Sequence, residues 1–155
     1  MKIVNRLAVA LVAAMSVVAL AACGGSSGGT GGGGGGLTIA AKGEELAFDK
    51  GTLTASAGQQ VSLTFNNTST GQNHNWVLVK GGDDVAAQVD EAATSSGDPN
   101  YIPQGNENII ANTKLLAGGQ NETITFTAPA AGTYTYICTY PGHYGAGMKG
   151  TLTVQ

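Results

Sequence analysis

The feature that most constrains this chain is an alternation of apolar residues with threonine or serine, which recurs from residue 37 onward. In "VSLTF" (61–65) and "TITFT" (123–127), bulky apolar side chains occupy every second position and hydroxyl residues occupy the others. Successive side chains of a β-strand point to opposite faces, so this pattern gives one buried face and one hydrated face. The repeated pattern therefore predicts an all-β domain.

Strand-like segments recur along the whole of that region. The segment "HNWVLVK" (74–80) is apolar on both faces after Asn75, which indicates a central strand. Together with turn signals between them, the segments predict an antiparallel β-sandwich of about eight strands. The predicted strands lie near 37–41, 45–48, 51–55, 60–66, 74–80, 107–111, 122–128, 132–138 and 149–155.

One segment, near residues 83–94, breaks the strand pattern and predicts a single short helix. Asp83 and Asp84 occupy its first turn, where the positive end of the helix dipole favours acidic side chains. Val85 and Val89 lie four residues apart and share one face of that helix. The following stretch, "TSSGDPNYIPQG", is rich in turn-forming residues and predicts a loop.

The first 22 residues have the organisation of an export signal. Lys2 and Arg6 precede residues 7–22, which are apolar except for Ser16. A helix of that length spans roughly 24 Å, less than the roughly 30 Å hydrocarbon core of a bilayer. The sequence "LAAC", ending at Cys23, resembles a bacterial lipoprotein signal, in which the cysteine is acylated and becomes the new N-terminus. An ordinary signal peptide with a chance cysteine and a retained membrane helix are the alternatives.

Glycine dominates the segment after Cys23. Residues 24–36, "GGSSGGTGGGGGG", contain ten Gly, two Ser and one Thr, and this composition forms a flexible coil. Its root-mean-square reach is roughly 20 Å. We therefore expect three regions: a signal peptide over 1–22, an acylated cysteine and tether over 23–36, and a folded domain over 37–155.

The charge of the expected mature chain argues against nucleic-acid binding. Cleavage before Cys23 would leave five lysines, no arginine and ten acidic residues, a net charge of −5. Binding to nucleic acid requires basic side chains that neutralise phosphates, and this chain has few of them.

The stretch "CTYPGHYGAGMKG" holds a thiol, an imidazole and a thioether five residues apart, in Cys138, His143 and Met148. Cys138 ends a predicted strand, and the glycines of the loop that follows allow all three side chains to point inward from one end of the sandwich. The expected mature chain has one further histidine, His74, and no further methionine. One thiolate, two imidazoles and a weak axial thioether are the donor set of a type 1 blue copper centre.

Each of these residues has a simpler explanation when it is taken singly. A methionine beside a C-terminal strand usually fills the core, and a lone buried cysteine usually acts as a small hydrophobic residue. A lone histidine at the start of a strand is usually structural. The four together, in a chain with no spare soft ligand, favour a metal centre.

The segments "GQNHNWVLVK" and "YICTYPGHYGAGMKGTLTV" resemble the cupredoxin family, and most closely its azurin and auracyanin branch. The resemblance covers roughly residues 37–155 and implies a Greek-key β-sandwich with one type 1 copper per chain. It implies that His74, Cys138 and His143 are the equatorial copper ligands. It also implies an axial ligand in Met148 and a weak contact from the carbonyl of Asn73 on the opposite side.

By the same resemblance, two further residues support the site. The side chain of Asn75 would tie the His74 strand to the Cys138 loop, and the backbone N–H groups of Asn75 and Tyr140 would approach the sulfur. The chain departs from azurins in lacking their disulfide and in having Asn73 where they usually have glycine. Four residues separate His143 from the methionine, as in auracyanins, whereas azurins have three.

The resemblance implies a blue copper electron-transfer protein, which is monomeric and has no catalytic residues. It would shuttle single electrons through the edge of His143 between membrane-bound or soluble redox proteins of a photosynthetic or respiratory chain. Cytochromes, a quinol-oxidising complex and a reaction centre are the expected partners. A lipid on Cys23 would hold it on the extracytoplasmic (periplasmic) face of a bacterial cell membrane.

Three alternatives to an electron carrier remain. The first is a copper storage or delivery lipoprotein, which would favour an open and exchangeable site. The second is a copper enzyme, which would need histidines beyond His74 and His143 to hold a substrate-binding copper. The third is a structural lipoprotein without metal.

Overall fold

The computed structural model describes residues 36–155. The predicted signal peptide, the acylation of Cys23 and nearly all of the tether lie outside these residues. The described region contains nine strands and one helix. In chain order they are β1 (Gly36–Lys42), β2 (Glu45–Phe48), β3 (Thr52–Ala55), β4 (Gln60–Asn66), β5 (Val77–Val79), α1 (Asp83–Ser95), β6 (Ile109–Asn112), β7 (Asn121–Thr127), β8 (Gly132–Ile137) and β9 (Lys149–Val154).

The strands form two sheets that pack face to face. One sheet has the order β2-β1-β4-β7, and the other has the order β3-β9-β8-β5-β6. The predicted β-sandwich with one inserted helix is therefore confirmed, with nine strands where about eight were expected. Each strand overlaps one of the predicted segments.

Two strand pairs differ from the antiparallel arrangement that the sequence predicted. Strand β1 runs parallel to β4, with Leu37 opposite Leu63, and β3 runs parallel to β9, with Thr52 opposite Thr151. The chain passes to the other sheet after β2 and returns as β4, so β1 and β4 are not joined by a hairpin. Alternation gives the face of each side chain but carries no information on strand direction, and the antiparallel expectation was wrong for these pairs.

The core between the sheets comes from the alternating apolar positions. Ile39, Leu63 and Phe65 of the first sheet are fully buried, and they belong to one apolar cluster with Leu78 and Leu152 of the second. Burial of a large aliphatic or aromatic side chain contributes about 1.5–3 kcal/mol. This core is the fixed body from which the loops at each end extend.

Helix α1 covers the outer face of the second sheet. Its buried residues Ala86 and Val89 pack against Val77, Val79 and Ile137. Strand β5 is therefore covered on both faces, which explains why its sequence shows no alternation. No helix among the described residues combines the length and the apolar character needed to cross a bilayer.

The predicted strand 74–80 is shorter than expected, and its first residues take another role. His74 pairs only through an isolated bridge to Leu116, and the N–H of Trp76 donates to the hydroxyl of Thr113. Regular pairing with β8 begins at Val77, which lies opposite Ile137. Residues 74–76 thus leave the regular ladder at the end of the sandwich where β8 also ends.

Candidate metal centre

Three donor side chains converge at this end of the sandwich. His74 precedes β5, Cys138 follows β8 directly, and His143 lies in the loop between β8 and β9. The Cys138 sulfur lies 3.8 Å from Nδ1 of His74 and 3.5 Å from Nδ1 of His143, and the two nitrogens are 3.1 Å apart. The pairing of β5 with β8 brings together donors that are 64 residues apart in sequence.

The spacing of these atoms fits a bound metal ion. A point equidistant from the two nitrogens and the sulfur lies about 2 Å from each, close to the usual metal–imidazole and metal–thiolate bond lengths. The exposed fraction is 0% for His74 and Cys138 and 6% for His143. Two imidazoles with one thiolate are the donors of a type 1 copper site, and copper therefore fits the residues present.

Burial sets the protonation of the three donor side chains. Burial, with a smaller contribution from His143, lowers the pKa of His74 to about 4, and burial also lowers the pKa of His143. Both imidazoles are therefore neutral near pH 7, which is the form that binds metal. Burial raises the pKa of the Cys138 thiol to about 11, so metal binding must displace its proton.

Two backbone N–H groups oppose the effect of burial on the thiol. Those of Asn75 and Tyr140 hydrogen-bond to the sulfur of Cys138 and lower its pKa. Hydrogen bonds to the charged form favour the thiolate. The family resemblance implies that these two residues support a bound copper, and that role stays a prediction.

Met148 closes the loop that carries Cys138 and His143. It is fully buried in the same apolar cluster as Cys138. The N–H of Cys138 donates to the Met148 carbonyl at 3.1 Å, and the N–H of Met148 donates to the His143 carbonyl at 3.0 Å. The loop is folded back on itself, so that residues five apart in sequence meet at the end of the sandwich.

Asn75 fastens the His74 segment to the Cys138 segment. Its side-chain oxygen accepts the N–H of Thr139 at 2.8 Å, and its side-chain nitrogen donates to the Thr139 hydroxyl at 2.7 Å. The same nitrogen donates to the carbonyl of Asn100 at 2.9 Å. Because Asn75 and Thr139 are both fully buried, these bonds are made without competition from water.

Sequence reasoning missed the part played by Thr139 and by residues 98–103. Thr139 directly follows the ligand Cys138, and a hydroxyl side chain at that position was the one sign in the sequence of a hydrogen bond beside the site. Asn100 and Tyr101 carried no signal, because they reach the site through a turn whose position depends on the whole fold. Asn73 is half-buried and directly precedes His74, and the contact of its carbonyl with a metal stays a prediction.

The chain is similar to known copper proteins over the whole described region. Residues 36–155 match the copper-binding proteins of the plastocyanin/azurin family. Auracyanin-A of Chloroflexus aurantiacus is 54% identical over 120 residues, which cover 77% of this chain and 74% of that protein. The solved structure of auracyanin A, titled a "blue" copper protein, superposes with a TM-score of 0.74 at 54% identity, covering 77% of this chain and 98% of that one. Dithionite-reduced auracyanin from the photosynthetic bacterium Roseiflexus castenholzii has a TM-score of 0.77 and 56% identity, covering 80% of this chain and 99% of that one.

Replacement of Cys138 by serine should remove the strongest donor of the site. The two side chains differ by one atom, so β8 should still form, but a serine hydroxyl is a poor ligand for copper compared with a thiolate. We expect the variant, mixed with Cu(II), to lack the intense visible absorption of copper–thiolate coordination.

Ile137→Val is the matched control for this change. Ile137 is the neighbouring residue, and it packs toward α1 on the opposite face of the sheet. It should keep the absorption of the unmodified protein. Retained colour in Cys138→Ser would place the site elsewhere in the chain.

Proposed function

Because the chain belongs to the plastocyanin/azurin family of copper-binding proteins, we propose that it carries single electrons between redox proteins at a bacterial membrane. Copper is its cofactor, and His74, Cys138, His143 and Met148 form the type 1 site. The bound ion supplies a one-electron Cu(II)/Cu(I) couple, for which thiolate and thioether favour the reduced state and imidazoles suit both states.

One observation carries the proposal: the fold brings the three donor side chains together at one end of the sandwich. Three donor atoms lie within 3.8 Å of one another in a buried pocket. The hydrogen bonds between Asn75 and Thr139, and those between Cys138, His143 and Met148, restrain the segments that carry them. A pocket that is held in one geometry keeps reorganisation small when an electron enters or leaves.

His143 is the favoured entry point for electrons. It is 6% exposed, whereas His74 is completely buried. Pro141, Gly142 and Ala146 are exposed around it, and no residue between 139 and 148 carries a formal charge at pH 7. A small, uncharged rim suits a brief encounter with a partner, because little surface is buried and dissociation is fast.

Several observations disfavour the alternatives. The whole chain has two histidines, and the cluster uses both, so a second copper for substrate would lack imidazole ligands. For this reason we propose that the protein is not an enzyme. A copper storage or delivery protein would need exposed donors that exchange their metal readily, whereas these three donors are buried.

The proposed location rests on the N-terminal sequence. An acylated Cys23 followed by the glycine-rich tether would confine the folded domain to within tens of ångströms of the extracytoplasmic membrane face. Such confinement raises the effective concentration of a carrier near membrane-bound partners. The proposed partners are cytochromes, a quinol-oxidising complex or a photosynthetic reaction centre, met by a monomer.

Mass spectrometry of the protein recovered from a bacterial membrane fraction tests the anchor. We expect a mature chain that begins at Cys23 and carries the added mass of covalent acyl groups. Cys23→Ser should release the folded protein from the membrane, without change to its copper site. An unmodified N-terminus at any other residue would contradict the anchor and leave the electron-carrier proposal standing.

Optical and magnetic spectra of the copper-loaded protein test the carrier function. We expect an intense blue thiolate-to-copper band and a narrow copper hyperfine splitting in electron paramagnetic resonance. Met148→Leu should keep the band and raise the reduction potential, because the variant loses a weak donor and gains an apolar contact. A colourless complex, or a copper ion that cannot be reduced and reoxidised reversibly, would contradict electron transfer.

A further inference from the structure

Tyr101 has an unusual backbone conformation close to the copper site. Among residues 36–155 it is the one non-glycine residue with a positive φ, at 55°. This left-handed region is disfavoured for a bulky side chain, and such residues persist only where the surrounding structure holds them. A backbone outlier of this kind at a functional site points to a role for the conformation.

A tight turn imposes this conformation. The N–H of Tyr101 donates to the carbonyl of Asp98 at 2.9 Å, and the N–H of Asn100 donates to the Asp98 side chain at 2.8 Å. The side chain of Gln104 also donates to Asp98 at 3.3 Å. Pro99 and Pro103 restrict the backbone on both sides. The turn therefore presents Tyr101 in a fixed orientation.

That orientation places two groups of Tyr101 on the Cys138 loop. Its carbonyl accepts a hydrogen bond from the hydroxyl of Thr139 at 2.7 Å. Its ring packs edge-to-face on the ring of Tyr140, with the centroids 5.2 Å apart and the planes at 71°. The ring of Tyr140 lies in turn against the imidazole of His143, at 4.8 Å. One residue thus contacts both positions that directly follow Cys138.

We propose that Tyr101 is a positioning residue of the copper site, which acts through Tyr140. Its ring holds Tyr140 so that the Tyr140 N–H stays on the Cys138 sulfur and the Tyr140 ring stays against His143. Tyr101 and Tyr140 are both half-buried, and Tyr140 packs against the edge of the core cluster. Without the Tyr101 ring, Tyr140 would lose this edge-to-face contact.

The effect on the site follows from the hydrogen bond to sulfur. An N–H that donates to the thiolate draws electron density from it and stabilises the reduced state of the centre. Loosening Tyr140 weakens this bond and shifts the equilibrium towards Cu(II). The reduction potential should therefore fall, and the intensity or energy of the thiolate band should change with it.

Three substitutions at Tyr101 separate the effect of its ring on the copper site from the effect of its backbone conformation. Tyr101→Ala and Tyr101→Gly both remove the ring, but glycine adopts a positive φ without strain and alanine does not. Tyr101→Phe keeps the ring and is the conservative control. We expect Ala and Gly to shift the Cu(II)/Cu(I) equilibrium by the same factor of roughly three to ten, which is a fall of roughly 30–59 mV for a one-electron couple.

Thermal unfolding of the same variants distinguishes a positioning role of the Tyr101 ring from an effect on stability alone. The Gly variant should melt above the Ala variant because its backbone is unstrained, while their potentials agree. The Phe variant should keep the potential and the spectrum of the unmodified protein. A second readout, amide hydrogen exchange of Tyr140 in the metal-free protein, should be faster in Ala and Gly than in Phe.

The inference fails if the Ala and Gly variants keep the unmodified potential while only their melting temperatures change. It also fails if the potential follows the melting temperature, with Gly close to the unmodified protein and Ala far from it. These outcomes are distinct from a failure of the proposed function, in which the unmodified protein itself would lack the blue band. The inference rests on the type 1 site and not on the identity of the redox partners.

Discussion

The pairing of β5 with β8 is the constraint on which the metal centre depends. It places the end of the His74 segment beside the end of the Cys138 strand, although 64 residues separate the two donors. The buried hydrogen bonds between Asn75 and Thr139 then continue the attachment beyond the last regular strand pair. The short loop from Cys138 to Met148 adds His143, and its glycines at 142 and 147 adopt positive φ values that a side chain would disfavour.

The resulting pocket is electrostatically unusual because its polar donor atoms are buried together. Burial keeps two imidazoles and a thiol neutral while their polar atoms face each other at 3.1–3.8 Å. The apolar core alone would not select such an arrangement, because buried polar atoms are costly unless they are well paired. All three donors would hold a bound cation, and the charge of that cation would favour the thiolate of Cys138 over the thiol. The two packed sheets, and the loops that they support, therefore hold the donors in positions that suit a metal ion.

Much of this organisation could be predicted from the sequence, and the rest depends on contacts between distant residues. Alternation located the strands and acidic residues located α1, because both signals are local. The ligands could be identified because the chain has few soft donors, which left His74 as the partner of Cys138. The parallel pairing of β1 with β4 gives no local signal, and neither does the late start of β5, at Val77, within the predicted 74–80 strand. The turn at Tyr101 was recognisable only as a loop, since its role arises from contact with Tyr140.

Crystal structures of the metal-free and the Cu(II)-loaded protein test most directly whether the protein fold, rather than the metal, sets the positions of the donor atoms. A preformed site predicts that the two Nδ1 atoms and the Cys138 sulfur stay within about 0.5 Å of the separations found here, with Asn75 still bonded to Thr139 in both forms. A metal-free structure in which His143 swings out of the pocket, or in which the loop from Cys138 to Met148 takes another conformation, would show that the metal assembles the site.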